Sequence, residues 1–201
     1  MKQPDIYETT YRRYLERIAG IDLASRAEVL GAKAAQDGLE VDFYQTPYRV
    51  SASGVLDRSG KRASFDICVL LCCYVLQCPQ TSPPQGEWVA YRNFKDSGPL
   101  GVYFADNIIR PIGKTFSGNV EGLEAVCGQM GGRVVAESGF DLAMQFEMLP
   151  RIPVYFRFND RDDIFPAEAS FLFRESTEKY LDMECLAIGG AWLARHLVKG
   201  E

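Results

Sequence analysis

Apolar and polar positions alternate most cleanly between residues 149 and 173. Ile152, Val154, Phe156 and Phe158 alternate with Pro153, Tyr155 and Arg157, and Ala167, Ala169, Phe171 and Phe173 alternate with Glu168, Ser170 and Leu172. A period of two marks a strand with one face on a core. Residues 159–166 between them are rich in turn formers and too polar to bury, so the pattern predicts an antiparallel hairpin closed by an acidic loop. Just upstream, residues 133–137 and 142–148 predict two more strands, the second with Leu142, Met144, Phe146 and Met148 on one side. Four strands in succession are expected to pair as one antiparallel sheet.

Helical spacing dominates elsewhere. Tyr7, Tyr11, Tyr14, Leu15 and Ile18 recur every three or four residues and predict an amphipathic helix ending near Gly20. Asp22 is placed to cap a second helix carrying Leu23, Ala27, Leu30 and Ala34 on one face, with Gly38 as its stop. Alternation then returns through Leu39, Val41 and Phe43, residues 48–51 and Val55-Leu56, which predicts a small β-meander. Residues 65–77, after a Ser64 cap, are apolar almost all round and predict a helix covered on most sides.

Residues 87–94 fit a strand or an aromatic helical turn equally well. Residues 102–109 predict a helix stopped before Pro111, and Asn119 caps another that ends at Gly131-Gly132. A final helix, capped by Ser176 or Thr177, carries Leu181, Cys185, Ile188 and Trp192 in one stripe. Gly189-Gly190 inside it predicts the close passage of another backbone. The sum is an α+β fold: an antiparallel sheet with helices packed on it, an N-terminal helical pair and a C-terminal helix. Residues 1–201 are read as a single domain, with the pair at 1–38 and the core at 39–201.

Composition narrows the function classes. With 47% hydrophobic residues the 201-residue chain can bury a full core. A net charge of -5 and scattered lysines and arginines give no footprint for nucleic acid or for an acidic membrane surface. Residues 1–5 lack the apolar core of a signal peptide, and the longest apolar run, residues 67–76, is about half of what a membrane span requires. Six cysteines without an export signal suit reduced thiols, so a cytoplasmic location is expected.

Familiar site motifs fail on spacing. Cys68, Cys72, Cys73 and Cys78 cannot converge from one helix, and no C-x-x-C pair exists. Gly113-Lys114-Thr115 lacks the upstream glycine of a phosphate loop, whose position holds Ile108. No cofactor motif is present. The acidic loop places Asp160, Asp162 and Asp163 together with Asn159, the oxygen chemistry of a hard divalent cation, although Ile164 and Phe165 stand where an EF-hand needs an oxygen ligand and a glycine. His196, the sole histidine, falls in the last turn of the final helix, where a cation favours the helix dipole.

The series Gly86-Glu87-Trp88-Val89-Ala90-Tyr91-Arg92-Asn93-Phe94, Phe140-Asp141-Leu142-Ala143, Leu149-Pro150-Arg151-Ile152-Pro153, Phe165-Pro166-Ala167 and Tyr180-Leu181-Asp182-Met183-Glu184 resembles an uncharacterised prokaryotic domain-of-unknown-function family, number 3786. The resemblance runs from about Leu39 to the C-terminus. It implies a setting in anaerobic bacteria and archaea, where some members are fused to iron–sulfur cluster domains. With no cysteine before Cys68, such a domain is not expected in this sequence. Ile164 departs from the family pattern, which usually carries acidic residues up to the Phe-Pro pair.

Three function classes follow. The first is a non-catalytic small-molecule, cofactor-binding or accessory module of anaerobic redox or one-carbon metabolism, its ligand or redox protein partner meeting Trp88, Tyr91, Phe94, Tyr155 and Arg157. The second is an enzyme using Asp160, Asp162 and Asp163 with a divalent cation. The third is a homodimeric structural partner whose aromatics form the interface. The lack of a complete catalytic constellation favours the first.

Overall fold

A computed structural model describes residues 6–199; residues 1–5, where the absence of a signal peptide was read, lie outside the described residues. Helix α1 (Ile6–Ala19) leads through a 3₁₀ turn (Ala24–Arg26) into the short α2 (Ala27–Leu30). Strands β1 (Lys33–Ala35), β2 (Gly38–Phe43), β3 (Thr46–Ser51) and β4 (Gly54–Leu56) form an antiparallel meander in chain order. Helix α3 (Phe65–Leu76) follows, then β5 (Trp88–Ala90). A continuous helical stretch comes next: α4 (Gly98–Phe104), a π-helical turn (Ala105–Ile109) and α5 (Arg110–Phe116). Helix α6 (Val120–Gln129) precedes β6 (Arg133–Val134), β7 (Leu142–Leu149), β8 (Ile152–Asn159) and β9 (Glu168–Arg174), and α7 (Met183–Lys199) closes the chain. The second sheet has the order β5-β9-β8-β7-β6, every neighbour antiparallel.

The α+β architecture and the central hairpin are as the alternation predicts. Phe156 pairs with Phe171 and Val154 with Phe173 across β8 and β9, and these side chains are buried against the helices. Buried apolar residues of both sheets, among them Val41, Val50, Phe146 and Phe156, belong to one contiguous cluster. The hairpin turn between β2 and β3 ties the sheets together. Tyr44 takes a left-handed φ of 43° there, its N–H donates to Met148 O at 3.0 Å, and its hydroxyl donates to Gly189 O at 3.1 Å. No described helix is long and apolar enough to cross a membrane.

Several boundaries differ from the pattern for identifiable reasons. The second helix stops at Gly31 rather than Gly38, and Ala34 belongs to β1. Remote side chains take its last carbonyls: Arg151 donates to Val29 O at 3.0 Å and to Glu28 O at 2.7 Å, and Tyr74 donates to Leu30 O at 2.6 Å. The helix expected to stop before Pro111 runs through it. A π-turn there sends the Arg110 N–H to Ala105 O, and proline enters as a first-turn residue of α5. The strand predicted over 133–137 pairs only at Arg133 and Val134.

The final helix begins later than expected. Ser176 and Thr177 lie in a 3₁₀ turn, and Asp182 caps α7 by accepting from Cys185 N at 2.7 Å. What presses on Gly189 and Gly190 is side chains, not backbone: a Cβ at Gly189 would strike Met148 Sδ, and one at Gly190 would lie 2.9 Å from the Phe104 ring.

Candidate functional site

The inner face of β9 changes character along its length. Phe171 and Phe173 fill the space beneath the helices, whereas Ala167 and Ala169, on the same face, do not. Opposite the alanines stand Ala105, Ile109 and Gly113 of the π-turn and α5, so small residues face small residues. The result is a cleft of about 610 Å³ whose rim carries Arg110, Lys114, Ser117 and Glu168. That volume falls in the range of small-molecule sites. A second hollow lined by Tyr91, Arg92, Gly101 and Phe104 shares Ala105, Ile109, Glu168 and Ala169 with it, so the two form one groove.

The groove borders an open sheet edge. Strand β5 pairs with β9 only at Leu172–Arg174, which leaves the outer edge of β9 from Glu168 to Phe171 without a strand neighbour. At Gly113 the helix comes close to the chain entering β9: a Cβ there would lie 2.8 Å from Ala167 O. Arg110 pairs with Asp106 at 2.7 Å across the π-turn, leaving the Lys114 ammonium as the rim cation without an ion pair among the described residues.

The aromatic set proposed from the sequence is divided by the sheet. Trp88, Tyr155 and Arg157 share the outer face with Arg174. The indole lies 5.3 Å from the Tyr155 ring, and the Arg174 guanidinium sits 4.1 Å above the indole. The Tyr155 hydroxyl donates to Glu137, which also receives Arg157 in a bidentate pair at 2.9 and 2.6 Å. Burial, more than the Glu137 contact, raises the Tyr155 pKa. Tyr91 belongs to the other side: buried, stacked 4.1 Å from Phe104, it donates to Met183 O at 2.8 Å, and burial pushes its hydroxyl up to about 12. Phe94 lines a separate hollow of about 430 Å³ with Pro83, Pro84 and Glu175. Only Tyr91 of the five reaches the groove.

The acidic loop is an internally bonded turn. Asp162 Oδ1 accepts from Ile164 N at 2.7 Å and Phe165 N at 2.6 Å, and these amides lower its pKa. Asp160 Oδ1 accepts from Gly118 N and from Arg161 N, both at 2.7 Å. Among the described residues, Asp160, Asp162 and Asp163 do not bring their three carboxylates within 4.8 Å of one another, and Pro166 at the end of the loop lines the groove. His196 donates from Nδ1 to Trp192 O at 2.7 Å and stacks on that indole.

Among the described residues, one trio of His, Cys, Asp and Glu side chains brings its ligand atoms within 4.8 Å of one another: Cys73, Asp182 and Cys185. A hydrogen bond from Cys185 lowers the Cys73 pKa, and the same bond with burial raises that of Cys185. Sequence spacing hid this trio, because its cysteines come from α3 and α7, far apart in the chain.

The family model described as Domain of unknown function (DUF3786) matches residues 22–196, and the chain belongs to that family. The match begins before Leu39 and takes in α2, the segment that Arg151 of the Leu-Pro-Arg-Ile-Pro series holds in place. No curated protein and no solved structure matches the chain.

Proposed function

Taking the chain as a member of that family, we propose that it is a non-catalytic binding or accessory module whose ligand, a small acidic molecule, lies in the groove between β9 and the α4–α5 stretch. The observation that carries this reading is the absence of filling where the alanine half of β9 meets Ala105 and Gly113, beside the Lys114 ammonium. The open edge of β9 offers backbone donors and acceptors, and Lys114 with Arg110 offers charge for a carboxylate or phosphate. Among the described residues, no histidine, cysteine or aspartate lines the cleft, which favours binding over turnover. The π-turn in its wall supports the assignment, since such turns are frequent at functional sites. The family setting suggests a ligand or partner from anaerobic redox or one-carbon metabolism.

Native mass spectrometry of the freshly purified chain tests this reading. A co-purified small molecule is expected, lost from Ala169→Trp, which fills the cleft, and retained by Trp88→Ala on the opposite face. Lys114→Glu is expected to lower its occupancy. A molecule that stays bound to Ala169→Trp would overturn the assignment.

A further inference from the structure

Three elements that are remote in sequence place polar donors around one point at the start of α7. Cys73 comes from the middle of α3, Asp182 caps α7 and Cys185 lies in its first turn, and Tyr14 of α1 lies beside Cys73. Both thiols are free and almost completely buried, whereas Asp182 is exposed, so the group has a closed sulfur side and an open oxygen side. Cysteines as mere small apolar fillers do not require a carboxylate and a phenol beside them.

We propose that Cys73, Cys185 and Asp182 form a three-residue site for a divalent ion of the zinc type, its fourth position left to solvent or a further ligand. Donors bound about 2.0–2.3 Å from a tetrahedral ion lie about 3.3–3.8 Å from one another. The ligand atoms of Cys73, Asp182 and Cys185 already lie within 4.8 Å of one another, so small movements bring them to that arrangement. Two thiolates with one carboxylate suit a borderline-soft ion, and they distinguish this site from an all-oxygen magnesium or calcium site. Binding displaces protons from both thiols. The excess negative charge of the loaded site meets the positive end of the α7 dipole and the nearby Arg17, whose charge already acts on Cys73. Asp182 is oriented in advance, because its Oδ1 is held by Cys185 N at 2.7 Å.

Titration of the full chain with Co²⁺ under reducing, oxygen-free conditions tests the site. One Co²⁺ per chain is expected, with a sulfur-to-cobalt charge-transfer band and the intense ligand-field bands of four-coordination, both abolished by Zn²⁺. Loss of a partner that only orients a ligand costs about 10–100-fold in affinity, so Cys73→Ser and Cys185→Ser are each expected to weaken binding at least tenfold. Asp182→Asn keeps a capping side chain for α7, so it is expected to weaken binding with an unchanged melting temperature. Cys72→Ser, a substitution on the same helix outside the group, leaves binding as it was. The proposal fails if the wild-type chain shows no sulfur-to-cobalt band, or if the band survives in both Cys73→Ser and Cys185→Ser. Oxygen-only spectra lost in Asp162→Asn would place the ion in the acidic loop and likewise overturn it.

Discussion

The two halves of β9's inner face make a comparison within a single strand. At one end Phe173 is fully buried and Phe171 nearly so, packed edge-to-face near Phe104. At the other end Ala167 and Ala169 stand on the same face under the same helical layer and leave a cleft. Backbone geometry is shared, so side-chain volume alone separates core from groove. A close-packed interior does not leave such space without cause, and the π-turn and Gly113 opposite show that the helical wall is shaped to it.

The largest expected effect breaks the filled end. Phe173→Ala removes a fully buried ring and is expected to cost about 3–5 kcal/mol, measured as a lowered urea midpoint with an unchanged slope. A cost near zero would mean that the phenylalanine end is no more a core than the alanine end. Next comes the point where wall and floor touch. A Cβ at Gly113 would sit 2.8 Å from Ala167 O; the forced shift costs about 1–3 kcal/mol, partly offset by the gain of about 1 kcal/mol in helix propensity. A net loss is expected for Gly113→Ala, and a net gain would show that the helix does not rest on the strand. Ala169→Trp, which occupies the cleft, is expected to change stability by no more than about 1 kcal/mol, because it displaces solvent rather than packed atoms.

The filled half was legible in the sequence and the open half was not. Period-two alternation identified β7, β8 and β9, and the apolar run identified α3, because a buried face imposes its period on whatever residues form it. The cleft was not visible, since Ala167 and Ala169 satisfy the same alternation as Phe171 and Phe173. Its other wall depends on a π-turn that carries the chain through Pro111, the residue that reads as a stop. The early end of α2 was equally hidden, because Arg151 and Tyr74, which take its last carbonyls, lie far along the chain. The acidic residues were located correctly, but the partners of Asp160 and Asp162 are backbone amides of the loop and of Gly118, which composition does not reveal.

The smallest effect concerns the loop at the mouth of the open half. Asp162 accepts from the amides of Phe165 and Ile164, first and second in effect, and both depress its pKa in the folded chain. A group with a depressed folded pKa contributes stability above its unfolded pKa, about 3.9 for Asp, and loses it as pH falls through the folded value. Asp162→Ala is therefore expected to lower the urea midpoint slightly at pH 7, and the gap to the wild-type chain should close below about pH 4. A gap that persisted undiminished at acid pH would mean that the carboxylate's charge has no part in the turn. Pro166 would then be placed at the groove by backbone geometry alone.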